Sequence, residues 1–500
     1  MATLSSLPSD IVVQIVKLLF DDADKGLGEW KCTLYLLAIS PQWRAIAKPV
    51  VYYFAFIGVR SSRYKSMGNV PSNLPLVHST ASGSFVKRLL IVDDIPNGTQ
   101  ALLTQAEQLL ALSSVPWLGV TSIHLFTRYS PGSLGLQPPT EAEAAQLDAS
   151  AKQISRLLPS VNAFTAISSS TSATTDYLLS AMLQAYAKSL LRLRIVGEHP
   201  GARECDALSL RSLSLTSLKR PLPTAIKVDP ANLTSLDLFG AGVDYGWGRF
   251  LRTSNGSVSF DNLTRLTLYN NRLHPSELAP VTDEILPTLL FPRLEYVYIS
   301  GADHHECQYR MFCAAKSLQT VIVSGTNVDM QAADLIGLPS VTKLRLRFDI
   351  RDGHTIKETG FIDKANRLLA RVKAIAHVEM ALVNIVEPFS VASAQWLCLT
   401  SLDMPKLSTM LYYVFKLTST LSSIRRLRIG SLRSPRTDEY SDPSRYLRDL
   451  CTRTMHPSTA SLERFTMNHR PLLAQDYLDE HIALLKWYLP NLAHIIIPCK

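Results

Sequence analysis

Two segments of the chain carry the same spacing of leucines. Asn232-Leu-Thr-Ser-Leu-Asp-Leu238 is followed by Asn262-Leu-Thr-Arg-Leu-Thr-Leu268, and in both the leucines occupy positions 1, 4 and 6 of a six-residue phrase. This spacing fits neither a free amphipathic helix nor a strand of simple alternation. It is typical of a short buried strand that is entered by a tight bend and stacked against copies of itself. The two segments therefore predict a repeat.

The phrase can be followed through most of the chain, and its fourteen intervals average about 29 residues. It starts at Val86, Val120, Val161, Leu190, Leu210, Leu233, Leu263, Leu294, Leu318, Val341, Ile375, Leu399, Ile424, Leu462 and Leu492. Helical spacing of apolar residues predicts helices between many phrases, at residues 99–112, 140–158, 176–190, 304–315, 356–372, 407–420, 443–455 and 471–489. Strands joined by helical crossovers are parallel. The fold class expected for residues 86–500 is therefore α/β, and the pattern resembles an irregular leucine-rich-repeat solenoid, or horseshoe.

Residues 1–57 follow a different pattern. A stripe of Leu7, Ile11, Ile15, Leu18 and Leu19 predicts a first helix over residues 7–19, with Pro8 in its first turn. Two further helices are expected at 34–39 and 41–53, and residues 58–85 are rich in Ser, Gly, Pro and Asn, which is typical of a linker. Three short helices cannot bury all of these apolar side chains. The segment either caps the repeat array or presents apolar residues to a partner, and the pattern leaves both interpretations open.

The same segment resembles an F-box. The resemblance lies in the Leu7-Pro8 opening, in Ile11, Ile15 and Leu19 on the first helix, and in the ending Ile39-Ser-Pro-Gln-Trp43-Arg44. It implies docking to a Skp-type adaptor of a cullin ubiquitin ligase, with the repeats holding a target protein. Transferred by motif position, the adaptor-binding candidates are Leu7, Pro8, Ile11, Ile15, Leu19, Leu37 and Ile39. Trp43 is expected to hold the three helices together.

Composition narrows the classes of protein. Apolar residues make up 46% of the 500 residues and charged residues 19%, as in folded proteins, and the net charge of +9 is a modest pointer to acidic partners. The seven cysteines are odd in number and include no C-x-x-C, and Met1–Pro8 lacks the features of a signal peptide. These features predict reduced thiols and a cytoplasmic or nuclear location. No stretch of 18 apolar residues predicts a membrane span, and no long Lys/Arg run indicates nucleic acid.

No motif in the chain indicates a reaction. Phosphate-binding loops, dinucleotide-binding glycine motifs, H-E-x-x-H and G-x-S-x-G are absent from the sequence. His304-His-Glu-Cys307 with Cys313 brings potential ligands together, but the spacing is not that of a zinc site. We therefore expect no catalytic residues, no metal and no cofactor, so that the chain is a non-catalytic subunit rather than an enzyme.

Positions 3, 5 and 7 of each phrase are expected to face solvent on the inner, concave side of the horseshoe. We call this the odd-position face. Aromatic residues occupy its centre and basic residues lie on both sides, which gives these target-binding candidates: Arg192, Arg194, Phe239, Tyr269, Tyr296, Tyr298, Lys343, Arg345, Arg347, Arg426 and Arg428. Tyr and Arg anchor many interfaces, and Arg binds carboxylate and phosphate through two hydrogen bonds. The face is expected to bind an acidic or phosphorylated protein segment; the alternative is an ordinary solvated sheet face.

Overall fold

The protein is described here from a computed structural model. It describes residues 7–21, 35–58, 74, 77, 82–93, 115–127, 139–168, 173–197, 205–216, 226–239, 257–269, 288–300, 315–324, 341–347, 376–381, 398–432, 449, 452, 461–469 and 475–498. The chain forms two compact units. The first consists of Met1–Gly256 with Ile285–Pro287, and the second of Ser257–Glu284 with Thr288–Lys500.

The first unit begins with three helices and continues as a parallel sheet. Its helices are α1 (Ser9–Asp21), α2 (Leu36–Ile39), α3 (Pro41–Val51), α4 (Glu141–Leu157) and α5 (Ala173–Tyr186). Its strands are β1 (Phe54–Gly58), β2 (Arg88–Asp93), β3 (Ser122–Thr127), β4 (Ala163–Ser168), β5 (Arg192–Val196), β6 (Cys205–Asp206), β7 (Ser212–Thr216), β8 (Ile226–Lys227) and β9 (Ser235–Phe239). The main sheet has the order β1-β2-β3-β4-β5-β7-β9, and β6 pairs with β8 in a separate ladder.

The second unit repeats this arrangement. Its strands are β10 (Ser257–Ser259), β11 (Arg265–Tyr269), β12 (Thr288–Leu290), β13 (Tyr296–Ser300), β14 (Thr320–Ser324), β15 (Lys343–Arg347), β16 (His377–Ala381), β17 (Ser401–Thr409), β18 (Arg426–Leu432), β19 (Arg464–Met467) and β20 (His494–Ile496). Its helices include α6 (Leu411–Thr420) and α7 (Gln475–Tyr488). The main sheet runs from β11 through β13 to β20 in sequence order, and β10 pairs with β12. Both sheets are parallel, which confirms the α/β class.

The six-residue phrase and the strands coincide. In each of the fifteen predicted phrases a strand begins at position 3, two residues after the first residue of the phrase. The described side chains at positions 1 and 4 form the core in all phrases but the last; Leu190 and Leu266, for example, are fully buried. In the last phrase, Ile495 at position 4 is half-buried. Burying three apolar residues per repeat is thus what places each strand beside the next.

A recurring set of hydrogen bonds joins neighbouring repeats. The carbonyl at position 2 of one phrase accepts from two successive N–H groups of the next, as when Lys87 O accepts from Thr121 N at 2.9 Å and Ser122 N at 3.2 Å. A polar side chain just before the phrase adds a second link. Ser189 Oγ donates to Val161 O at 3.0 Å, and Asn232 Nδ2 donates to Leu208 O at 2.9 Å. These bonds satisfy backbone groups in the tight bends that lead into the strands.

The short strands β6, β8, β10 and β12 lie outside the fifteen phrases, and one strand of the main sheet, β1, was not predicted either. Tyr52, Ala55 and Ile57 are buried at positions 1, 4 and 6 of a further phrase, and β1 begins two residues after Tyr52. Tyr53 O accepts from the N–H groups of Lys87 and Arg88, as the position-2 carbonyls of the other repeats do. Tyr and Ala in place of leucine hid this phrase in the sequence. Strand β1 begins inside the segment predicted as helical, and Leu74 and Val77 of the predicted linker are also buried.

The predicted helices agree with the structure to different degrees. Helices α4, α5 and α7 match the predictions over 140–158, 176–190 and 471–489, and α4 begins with a capping box between Thr140 and Glu143. Hydrogen bonds from the Thr140 backbone and side chain hold the pKa of Glu143 below its usual value. The helix predicted at 407–420 starts only at Leu411, because the extended β17 occupies the preceding residues. The helices predicted at 99–112 and 356–372 lie outside the described residues, as do most residues of those at 304–315 and 443–455.

Gly119 sits where two backbone segments meet. A Cβ atom at this position would lie 2.9 Å from both Ser84 O and Val86 O, which are backbone atoms that cannot rotate away. Replacing Gly119 by Ala should therefore lower the free energy of unfolding by about 1–3 kcal/mol, the usual cost of overpacking. Thermal unfolding monitored by circular dichroism measures this, with the exposed Val115→Ala as control. Equal melting temperatures for the two variants would contradict the close approach.

Candidate functional site

The three N-terminal helices share a small core. It contains Val12 and Val16 of α1 together with Trp43, Ala47 and Val51 of α3, all at most 1% exposed. Leu36, Leu37 and Ile39 from the α2 region pack against it. Trp43 therefore lies at the centre of the three helices, as expected from the sequence.

The side of α1 that faces the core lies next to the stripe by which the sequence predicted this helix. The expected stripe ran through Ile11, whereas the structure buries Val12 and leaves Ile11 37% exposed. The reason is that apolar side chains occupy both sides of this helix, so periodicity alone could not show which side meets α3. Pro8 and Ile11 are exposed and Ile15 is half-buried. Successive members of this set are about one helical turn apart. Pro8 and Ile11 thus form a second apolar stripe outside the core at the start of α1, and Ile15, which packs against the core, borders it.

The other adaptor-binding candidates are divided between core and surface. Leu7, Ile15, Leu37 and Ile39 are partly buried against the core, and the side chain of Leu19 lies outside the described residues. Polar contacts fix the helix ends beside them: Gln42 Nε2 donates to Leu7 O at 3.2 Å and to Ser9 Oγ at 2.8 Å. Sequence reasoning missed the role of Gln42, whose only signal was its place within the F-box-like ending.

In the first unit, the basic candidates on the odd-position face are accessible. Arg192 and Arg194 on β5 are exposed, and both stand in register with serines of β7. Phe239 ends β9 and is half-buried. The strand positions therefore agree with the predicted face, and Arg194 is two strands away from Asp237.

In the second unit, part of the odd-position face is closed to solvent, contrary to the prediction. Thr267 is 5% exposed and Ile322 is 3% exposed, although both occupy position 5. Tyr298 on the middle strand stands in register between them. Leu90 in the first unit is buried in the same way at position 5.

Another candidate, Tyr296, takes part in a cation–π contact. The guanidinium of Arg265 lies over the ring of Tyr296, 4.9 Å from its centroid. For Tyr269, Arg345 and Arg347 the described structure gives strand positions, but their side chains lie outside what it describes. Lys343 is partly buried on β15. In register, Arg345 is adjacent to Glu379, which is itself only 8% exposed.

Arg428 is already engaged within the protein. Its Nη1 lies 3.2 Å from Asp403 Oδ2, and its Nε donates to Asn468 Oδ1 at 2.6 Å. Asn468 in turn donates to Pro405 O at 3.0 Å. The guanidinium on β18 is thus held from both neighbouring strands, by Asp403 of β17 and by Asn468 just after β19. The residue is therefore positioned as a structural link, although half of its side chain remains accessible.

Arg426 has a different environment. It is exposed and stands in register with the exposed Arg464, which stands in register with the exposed His494. Arg464 and His494 were not among the predicted site residues. The signal was present in the sequence, because both occupy position 3 of consecutive phrases, as Arg426 does.

The described part of the chain contains no cluster of three or more His, Cys, Asp or Glu side chains that could hold a metal ion. The His304–Cys313 group lies outside it. In the same residues, no helix combines the length and the apolar character needed to cross a bilayer.

Comparison with known proteins assigns the chain to no family. No family model matches the chain, and no curated protein matches it. Among solved structures, the chain is similar to a leucine-rich-repeat protein of Leptospira interrogans, at 9% sequence identity, covering 88% of this chain and 93% of that one, with a TM-score of 0.26. The assignment that follows rests on register, burial and hydrogen bonds: this is an α/β repeat protein with parallel sheets of the kind found in leucine-rich-repeat solenoids.

Proposed function

We propose that the chain is a target-binding subunit of a Skp–cullin–F-box ubiquitin ligase. The N-terminal helices dock a Skp-type adaptor, and the odd-position face binds a target protein. The chain performs no chemistry itself; it raises the effective concentration of the target near an enzyme held elsewhere in the complex. The exposed, free Cys398 fits a cytoplasmic or nuclear location.

The observation that carries this proposal is the second apolar stripe of α1. The core of the helices is completed by Val12, Val16 and Trp43, so Pro8 and Ile11 are not needed to fill it. Exposed apolar residues at helical spacing are the anchors by which a helix enters a hydrophobic groove. The same residues match the F-box opening in the sequence.

Replacing Ile11 by Asp should weaken binding of a purified Skp-type adaptor by at least about 30-fold. The reason is that a central apolar anchor contributes about 2 kcal/mol or more to an interface, and an exposed aspartate costs the folded chain little. Titration calorimetry with the full chain measures the change.

Gln14→Asp provides the control for the added charge, because Gln14 is an exposed polar residue about one helical turn from Ile11. It should bind the adaptor as the unchanged chain does. The proposal fails if the unchanged chain does not bind the adaptor, or if Ile11→Asp binds as tightly as Gln14→Asp.

A second function is favoured by the position of the helices. Helix α3 leads directly into β1, and β1 pairs with β2, so the helices cover the start of the first sheet. Solenoids need such caps. The alternative is therefore a repeat scaffold without a role in ubiquitin transfer. Deleting residues 1–55 cannot distinguish the two functions, because it removes part of β1. The Ile11→Asp substitution can distinguish them, because Ile11 is exposed.

A further inference from the structure

We propose that the second unit binds a phosphorylated peptide segment through Arg426, Arg464 and His494, which we call the basic row. The inference deepens the proposed function, since the segment would belong to the target of the receptor. Its support, however, comes from the geometry and charge of this surface alone.

The basic row occupies position 3 on three consecutive parallel strands. Arg426 on β18 is in register with Arg464 on β19, and Arg464 is in register with His494 on β20. Neighbouring strands of a sheet lie about 4.8 Å apart, so the three side chains leave the same face side by side. All three are exposed.

The basic row has no neutralising partner among the residues that the structure describes. The nearby carboxylates are directed elsewhere: Asp403 pairs with Arg428, and Glu463 lies 3.8 Å from Arg425. Like charges directly opposite on adjacent strands are unfavourable. The fold therefore holds two guanidinium groups side by side, and a bound anion would reduce the repulsion between them.

A phosphate group matches this arrangement better than a carboxylate does. It carries a charge of about −1.5 to −2 at neutral pH and three acceptor oxygens, so two Arg forks can bind it together. Arg clusters are a general means of recognising phosphorylated segments. The neighbouring Arg428 is expected to contribute little to phosphate binding, because its guanidinium is already hydrogen-bonded to Asp403 and Asn468.

The surroundings favour a peptide over a nucleic acid. Ile496, two residues after His494 on the same face, is 41% exposed, and Thr466 lies in register beside it. An apolar side chain near the phosphate in a peptide could cover Ile496. Single-stranded nucleic acid needs a long basic groove with stacking aromatics, and no Phe, Tyr or Trp occupies positions 3, 5 or 7 of β18, β19 or β20.

Fluorescence polarisation with the full chain tests the proposal. The probes are degenerate labelled peptide pools with phosphoserine, serine or glutamate fixed at the centre. The phosphoserine pool should bind at least about tenfold more tightly than the serine pool, and Arg464→Ala should remove most of that preference. Arg464→Lys should restore only part of it, because the ammonium lacks the planar fork.

Arg425→Ala is the matched control, since it removes the same charge one residue before Arg426, on the other side of the strand. It should change affinity less than about twofold, as exposed ion pairs contribute little. Equal binding of the phosphoserine and serine pools, an equal loss in Arg425→Ala, or tighter binding of a single-stranded oligonucleotide would each overturn the proposal. The assay contains no adaptor, so failure here leaves adaptor docking standing, and the Ile11→Asp chain should still bind the phosphopeptides.

Discussion

Replacing Leu193 by Ala should lower the free energy of unfolding of the first unit by about 3–5 kcal/mol. Leu193 is 2% exposed at position 4 of its phrase, in register between Phe164 and Leu213. Truncation leaves a cavity between strands that cannot close, because each strand is hydrogen-bonded on both sides. The loss should appear as a lower urea midpoint and as faster amide exchange in β4, β5 and β7.

The neighbouring arginines provide the control for this experiment. Arg192 and Arg194 flank Leu193 on the same strand but are exposed. Their replacement by Ala should change the free energy of unfolding by no more than about 0.5 kcal/mol. Similar losses for Leu193→Ala and Arg194→Ala would show that the sheet is not divided into a buried face and an odd-position face.

Replacing Trp43 by Ala should cost the N-terminal helices about 3–5 kcal/mol. Trp43 is 1% exposed and is the largest side chain of a core that otherwise consists of valines and an alanine. A core this small gives the helices only a small free energy of unfolding, so a loss of this size should unfold them. Hydrogen exchange should therefore show that α1 and α3 lose protection, and adaptor binding should be lost with the fold.

This variant complements Ile11→Asp. Both should impair adaptor binding, but only Trp43→Ala should increase amide exchange in the helices, whereas β14 and β18 keep their protection. Gln14→Ala, an exposed change on α1, should leave exchange and binding as they are. Retained protection of α1 in Trp43→Ala would contradict the core described above.

The repeat could be predicted from the sequence because its signal is local. Leu233, Leu236 and Leu238 must all be buried to form one strand, and their spacing is visible within seven residues. The same logic located every later strand of the main sheet, including β19, where Phe465 takes the place of leucine. It failed for β1, because Tyr52 and Ala55 do not look like leucines even though they are buried as leucines are.

The candidate sites were harder to predict because accessibility depends on neighbours that are far apart in the sequence. Position 5 holds both Arg428 and Ile322, yet the first is tied to Asp403 and the second is nearly buried. For α1, apolar residues on two sides left the choice of inward face to its packing against α3.

The sequence by itself therefore determined the repeat, the parallel α/β class and the residues that form its core, since hydrophobic spacing acts over a few residues. The tertiary structure decided which side of α1 remains exposed and which arginines are paired within the protein. Arg426 and Arg464 are 38 positions apart in the chain but adjacent in the sheet. The physical reason is that charge neutralisation and burial depend on distances in space, and these are set only when the strands pair.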